Sequence, residues 1–340
     1  MVKGLYETGS LTGGSKKSML KKRTGAILLA CSMLVTMLTG CTQKTKDNDI
    51  QRAMESNETV IPNESSSVAE ASAQEPETES TAAQTQPETN AATTGTQAEY
   101  TYTGNWQDLP NDSIPYGNSI TDRDELNVPN GVYYYKKLYS GYGADFIQDT
   151  SQKIIYLTMD EGYEAGYTPM ILDTLKEKGV KAVFFLTKQF VDSDPELVQR
   201  MIDEGHILGN HTCAHPSEGM PSLGADAEIA DINKLHDMVQ DQFGYDLKLF
   251  RFPEGTFSEQ SLALVHSLGY ESVFWSFAYT DYNVNAQKDP AEALQNCMTQ
   301  LHPGAIYLLH AVSSTNCAIL GDFIDGVRAQ GYEFGVYPVQ

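Results

Sequence analysis

The chain has 340 residues, with 45 Asp and Glu against 23 Lys and Arg, a formal net charge of -22. That length accommodates one barrel-sized domain with extra segments, or two smaller domains. The acidity argues against a nucleic-acid partner, because phosphate binding needs a basic footprint; a cell-wall polymer stays open, since a local cleft can differ in sign from the total.

Residues 1–40 read as a signal peptide. Lys21, Lys22 and Arg23 precede an apolar run from Ala26 to Leu38, too short for a comfortable membrane span and suited to an h-region. Met19 offers an alternative start, since Met19-Leu20-Lys21-Lys22-Arg23 is a compact n-region by itself. The run ends in Leu38-Thr39-Gly40-Cys41, which resembles the bacterial lipobox. Cys41 is therefore expected to carry lipid and to anchor the protein at the outer face of the cell membrane. Residues 41–100 are Ser, Thr, Glu, Gln and Ala with scattered Pro, and too poor in large apolar side chains to build a core. An acidic tether of this kind self-repels and extends. Cys31 and Cys41 belong to the leader, leaving Cys213, Cys297 and Cys317. A Cys297–Cys317 bridge and buried free thiols are both open.

Residues 101–150 are expected to form an extension packed on the main domain, residues 151–340. Its aromatic stretch, from Tyr133 to Tyr139, is read as completing a core or covering a barrel's bottom rather than stacking on a ligand. From Ile154 onward apolar runs alternate with helical patterns. Ile154–Met159 is a buried strand, Thr168–Lys178 a helix stopped by Gly179, and Lys181–Leu186 a strand. Pro195–Glu204 is a helix with Asp194 as its cap, and His206–Asn210 a short strand. Asp226–Phe243 is a long amphipathic helix before the strand at Leu249-Phe250. Ser258–Leu268, Pro290–Leu301 and Asn316–Gln330 are helices, alternating with strands at Ser272–Trp275, Ala305–Leu309 and Glu333–Val336. Seven such units predict an α/β fold, an irregular (β/α)7 barrel with a parallel sheet. No Gly-x-Gly-x-x-Gly follows the first strand, so a dinucleotide fold has no support.

The residues just after each strand carry the chemistry, because a parallel barrel turns all of them toward one mouth. They are Asp160 and Glu161, then His211 and His215, then Arg251, Asp281 and His310. His211 and His215 are four apart, and on a helical turn that spacing would put both imidazoles on one face, as a divalent metal requires. Arg251 is suited to hold a carboxylate ionised through a bidentate bond. Asp281 could set the tautomer of His310 for acid catalysis.

In order, Thr158-Met159-Asp160-Glu161-Gly162, His211-Thr212-Cys213-Ala214-His215, Arg251-Phe252-Pro253-Glu254-Gly255, Asp281-Tyr282 and Leu308-Leu309-His310 resemble the five motifs of the polysaccharide deacetylase family, the NodB-type homology domain. The resemblance runs from Ile154 to the C-terminus. The wider strings Asp160–Pro169, Phe274-Trp275-Ser276 and His302–His310 resemble the branch of muramoyl de-N-acetylases that prepare peptidoglycan for muramic δ-lactam formation. The resemblance implies hydrolysis of N-acetyl groups on a cell-wall glycan by a monomer, with Asp160 as general base oriented by Arg251. It implies His310, tuned by Asp281, as general acid. His211, His215 and Glu161 would hold one divalent metal ion, zinc first, with cobalt, manganese or nickel as alternatives. Tyr163, Pro253, Tyr282 and Leu308 are expected to bind substrate. The chain departs from the family at Glu161, normally aspartate and often asparagine in the muramoyl branch. Its longer side chain either bends back to the metal or points into the cleft. Tyr282 and Met159 replace a tryptophan and a phenylalanine. Deacetylation of another polymer, such as N-acetylglucosamine chains or acetylated xylan, and a non-catalytic wall-binding barrel are the competing readings.

Overall fold

The computed structural model describes residues 101–117 and 122–339; the signal-peptide, lipidation and tether expectations lie outside them. The strands are β1 (Ile114–Pro115), β2 (Ala144–Asp145), β3 (Ile154–Glu161), β4 (Ala182–Leu186), β5 (Ile207–Asn210), β6 (Leu249–Phe250), β7 (Thr256–Phe257), β8 (Glu271–Val273), β9 (Ile306–His310) and β10 (Glu333–Phe334). The helices are α1 (Asn130–Tyr139), α2 (Thr168–Lys178), α3 (Lys188–Ser193), α4 (Pro195–Asp203), α5 (Ala225–Phe243), α6 (Glu259–Ser267), α7 (Pro290–Thr299) and α8 (Ser314–Ala329).

β3 is the spine. It pairs in parallel with β4 on one side, and with β9 and the short β10 on the other. From β4 the parallel order continues through β5 and β6 to β8. The seven strands expected from sequence are all present in this curled sheet. Apart from the short β10, their residues are largely buried on both faces, as in β4, where all five side chains are buried, so they read as apolar runs rather than alternating ones. Each such Leu or Phe contributes roughly 1.5–3 kcal/mol by burial.

The seam between β8 and β9 is closed irregularly. Past β8, the Ser276 N–H donates to Ile306 O at 3.0 Å, and the Leu308 N–H donates to Phe277 O at 2.9 Å. Lower down, β2 adds an eighth parallel strand beside β8. The chain beyond β2 then reaches the other side of the gap, where the Gln148 N–H donates to Gly304 O at 2.9 Å. Gly304 has φ +72°, and a Cβ there would meet Gln148 O at 2.6 Å, so only glycine allows that approach. The extension also supplies β1, antiparallel to β7. Its aromatic stretch is α1, whose Tyr135 and Tyr139 rings contact Phe257.

Local signals set most helix ends. Ser258 and Ser261 form a reciprocal capping box on α6, and Asp289 accepts the Ala291 and Glu292 N–H groups at the start of α7. Gly179 ends α2 at φ +63°. Asp194 occupies the cap position of α4, but its side chain makes no capping bond and instead accepts from Ser193 Oγ. Cys213, Cys297 and Cys317 are all free thiols, which removes the Cys297–Cys317 bridge.

His302 sits in the seam, fully buried, with Nδ1 2.7 Å from Gln300 O and Nε2 2.7 Å from Ser276 Oγ. Burial pulls its pKa down to about 4, and His206 is pulled down to about 4 as well. An unfolded histidine takes its proton near 6.5. Between those values the unfolded chain binds more protons, so stability is full above pH 6.5 and falls as pH drops toward 4. Urea midpoints at pH 7 and pH 5 should therefore differ. His302→Gln should lower the pH 7 midpoint and shrink the difference; an undiminished difference would assign the acid sensitivity elsewhere.

Candidate active site

Backbone register brings the site together. Asp160 on β3 and His310 on β9 are direct partners in the parallel ladder. On the other side the His211 N–H donates to Leu186 O at 2.9 Å, and the Arg251 N–H donates to Asn210 O at 3.0 Å. The strand ends finish level, so motifs spread over 150 positions of sequence meet at one rim.

Period-two alternation then decides which side chains face inward. Thr158 and Asp160 share a face, and Arg251 Nη1 donates to Thr158 Oγ1 and to Asp160 Oδ1, both at 2.8 Å. The guanidinium is 0% exposed. Its Nε donates to Val273 O at 2.9 Å, its Nη2 to Phe274 O at 3.2 Å, and its plane lies 4.1 Å over the Phe185 ring. The bidentate grip expected from sequence is corrected: one N–H bond holds Asp160 while other donors are spent on main-chain carbonyls. Burial pushes the Asp160 carboxyl up, but Arg251, His211 and His310 outweigh it, and the net shift is downward. Asp160 is ionised.

His211 Nδ1 is 2.9 Å from Arg251 O, which fixes the proton on Nδ1 and leaves Nε2 as a lone pair, 3.5 Å from Asp160 Oδ2. The His215 ring stands nearly perpendicular to it at 4.8 Å. Burial pulls both imidazoles down, His215 to about 3, so both are neutral. The two do not converge on a helical turn, as the spacing suggested. They sit on an irregular loop with φ +74° at Thr212 and +41° at His215. Asp231 of α5 pins that loop by accepting the Cys213 and Ala214 N–H groups at 2.7 and 2.9 Å. Thr212 Oγ1 accepts the His215 N–H at 2.9 Å. The Cys213 thiol is pushed up to about 11, chiefly by burial, so it is no thiolate ligand.

At the end of β9, His310 Nδ1 meets Asp281 Oδ1 at 2.7 Å, which leaves Nε2 for the cavity. Asp281 is itself held at Oδ2 by the His310 N–H at 2.9 Å and by Asn316 Nδ2 at 2.5 Å. Burial pulls the His310 pKa down, but Asp281 outweighs it and the net shift is upward.

The match to known proteins agrees with this geometry. A family model described as polysaccharide deacetylase matches residues 147–273. The peptidoglycan-N-acetylmuramic acid deacetylase PdaA of Bacillus subtilis (strain 168) is 40% identical over 227 residues, which span 66% of this chain and 85% of that one. The chain belongs to the polysaccharide deacetylase family. The solved structure of PdaA, a family 4 carbohydrate esterase, superposes with a TM-score of 0.62 and covers 66% of this chain and 95% of its own. A family 4 carbohydrate esterase from Bacillus anthracis, 35% identical, gives 0.55 with 67% and 95% covered.

The family motifs do not all land where the sequence suggested. Asp160, His211, His215 and His310 border one cavity of about 690 Å³, with Tyr163, Tyr282 and Leu308 on its wall. Pro253 is absent from that wall, being buried in the turn Pro253–Gly255 that follows Arg251. Glu161 is corrected as a metal ligand. One residue after Asp160 on a strand, it faces the opposite side, where Oε2 lies 3.4 Å from Thr168 Oγ1 and Oε1 has no partner. Burial, with Glu164 beside it, pushes its carboxyl well above the usual carboxylate range. Among the described residues no group of three His, Cys, Asp or Glu side chains is closed into a ligand set. What remains are two neutral imidazoles, a nitrogen pair whose chemistry fits a divalent ion of the zinc type, with the Asp160 carboxylate beside them.

Thr158, Asp231 and Asn316 are functional residues that the sequence reading missed. Thr158 was discoverable by counting back two from Asp160. Asp231 and Asn316 act from helices and carry no local signal.

Asp281→Asn should leave His310 buried without its counter-charge. Its pKa should then fall below the ordinary histidine value of about 6.5, as read by an NMR titration of the ring. Turnover should drop by about 10²-fold or more. An unshifted titration would show that Asp281 does not tune His310.

Proposed function

We propose that this chain is a hydrolase that removes N-acetyl groups from peptidoglycan amino sugars, N-acetylmuramic acid foremost, releasing acetate and leaving a free amine. The observation that carries the reading is the cross-strand pairing of an ionised Asp160 with a His310 held by Asp281 at one cavity. The 40% identity to PdaA supports the muramoyl substrate. Against a non-catalytic barrel stands the joint presence at that cavity of Asp160, His211, His215 and an Asp281-held His310.

His211 and His215, beside Asp160, would hold one divalent ion, zinc by donor type with cobalt, manganese or nickel fitting the same ligands; when bound it supplies a Lewis acid for water and for the amide oxygen. Asp160 takes the proton of the attacking water through Oδ2, since Arg251 occupies Oδ1. Arg251 keeps that carboxylate ionised and fixes its plane. His310 hands the proton on Nε2 to the amide nitrogen as the C–N bond breaks. Asp281 stabilises the imidazolium and fixes its tautomer. Phe252, Trp275, Tyr282 and Leu308 offer the cavity apolar walls for a sugar ring. Cys41 would tether the domain to the outer face of the membrane, and Cys41→Ala should move it from the membrane fraction to the medium.

Three variants separate the roles. Asp160→Asn should retain bound divalent ion and lose acetate release by about 10²-fold or more. His211→Ala combined with His215→Ala should lose both ion content and turnover. Glu161→Gln should keep ion affinity, because its side chain faces away. Elemental analysis with an acetate assay on muropeptides checks all three. A Glu161→Gln protein that loses its ion would overturn the strand-face assignment.

A further inference from the structure

Asp281 lies on a stretch of chain that the sheet does not fix. Phe277 makes the last bridge to β9, and among the described residues no strand or helix follows before α7. Asp281 is held instead by scattered donors. Gln287 Nε2 donates to its main-chain O at 2.7 Å, and the His310 N–H and Asn316 Nδ2 both reach Oδ2. Asn316 is buried in the first turn of α8, where Ser313 Oγ accepts its N–H at 3.0 Å.

The other end of the Asn316 amide is used as well. The Tyr279 hydroxyl donates to Asn316 Oδ1. Nδ2 faces Asp281 Oδ2 at 2.5 Å and His310 O at 3.1 Å, and both are acceptors. Turning the amide round would set its oxygen against both, so Oδ1 is fixed toward Tyr279 and the phenol must donate. Burial, with Asp281 close by, pushes the Tyr279 phenol up and keeps that proton in place. One buried amide thus grips the loop at two side chains, Tyr279 and Asp281. Without the phenol, Oδ1 would be a buried acceptor with no donor, and the amide would lose half of what orients it. The Tyr279 ring borders the cavity, so this chain of bonds runs from the wall of the site to its acid.

We propose that Tyr279 is a positioning residue for the proton donor: through Asn316 it holds Asp281, and Asp281 holds His310. This rests on the deacetylase reading and adds to it a residue that touches none of the reacting atoms. An amine leaves only with a proton from His310, whereas a phenolate leaves without one. The Tyr279 hydroxyl therefore serves amide cleavage and is dispensable for an aryl ester.

The test is Tyr279→Phe in the full chain, which keeps the ring and removes the hydroxyl. Acetate release is followed on muropeptides and on p-nitrophenyl acetate. On muropeptides kcat should fall about tenfold or more, with KM and the aryl ester rate within about threefold of wild type. A loss shared by both substrates, or by neither, overturns the proposal. Asn316→Asp keeps an acceptor for Tyr279 and loses the N–H that reaches Asp281, so it should show the same selective loss and stands in if Tyr279→Phe fails to fold. The imidazole nitrogen NMR shifts of His310 give a readout that needs no turnover. With the ring neutral, wild type should hold the Nδ1–H tautomer that Asp281 imposes, and Tyr279→Phe should shift toward the Nε2–H form. An unchanged tautomer sinks the proposal. Failure of the wild type to release acetate from muropeptides counts against the deacetylase reading alone, and the tautomer then still decides the role of Tyr279.

Discussion

The buried contact between Arg251 and Asp160 is the constraint on which the rest of the site depends. Taking a guanidinium fully out of water costs several kcal/mol, and only a full set of partners offsets it. Here the partners are Asp160, Thr158 and two carbonyls from the chain leaving β8. The arginine therefore ties β3 to β8 across the barrel interior. Its own carbonyl fixes the His211 tautomer. Removing either charge would strand the other in the core, at roughly 3–5 kcal/mol. Fold and chemistry therefore share one interaction.

Much of this was legible in the sequence, for physical reasons. Strands buried on both faces appear as unbroken apolar runs, and each run ends on the polar residues that its rim requires. That is why the seven strands, the barrel class and the positions of Asp160, His211, Arg251 and His310 can be read directly. What escaped was set by contacts distant in sequence. The loop from His211 to His215 takes its shape from Asp231, not from a helical turn. Asn316 reaches Asp281 from α8, 35 positions away. β2 is two residues long and has no periodicity to detect. Glu161 is a different kind of miss. The sequence left open whether it bends back to the metal or points into the cleft, and strand alternation turns it to neither, placing it on the face opposite Asp160.

The extension also changes what counts as the domain. By sequence, residues 101–150 read as an extension packed on the barrel, outside the alternating pattern of its wall. In the fold, β2 and the chain after it fill the gap that β8 and β9 leave, and Tyr116 packs on Trp275 and donates its hydroxyl proton to that residue's carbonyl. The boundary suggested by the alternating pattern would cut through the barrel wall.

The ladder pairing of Asp160 with His310 has a consequence for how firmly the two groups are mounted. Adjacent strands lie about 4.8 Å apart, and that spacing is maintained by main-chain hydrogen bonds that no side-chain substitution adjusts. The carboxylate and the imidazole therefore leave the backbone from level, neighbouring positions, and the freedom left to them is rotation about their own side-chain bonds. Arg251 restrains the first and Asp281 the second, so each group is anchored twice, once by its strand and once by a charged neighbour.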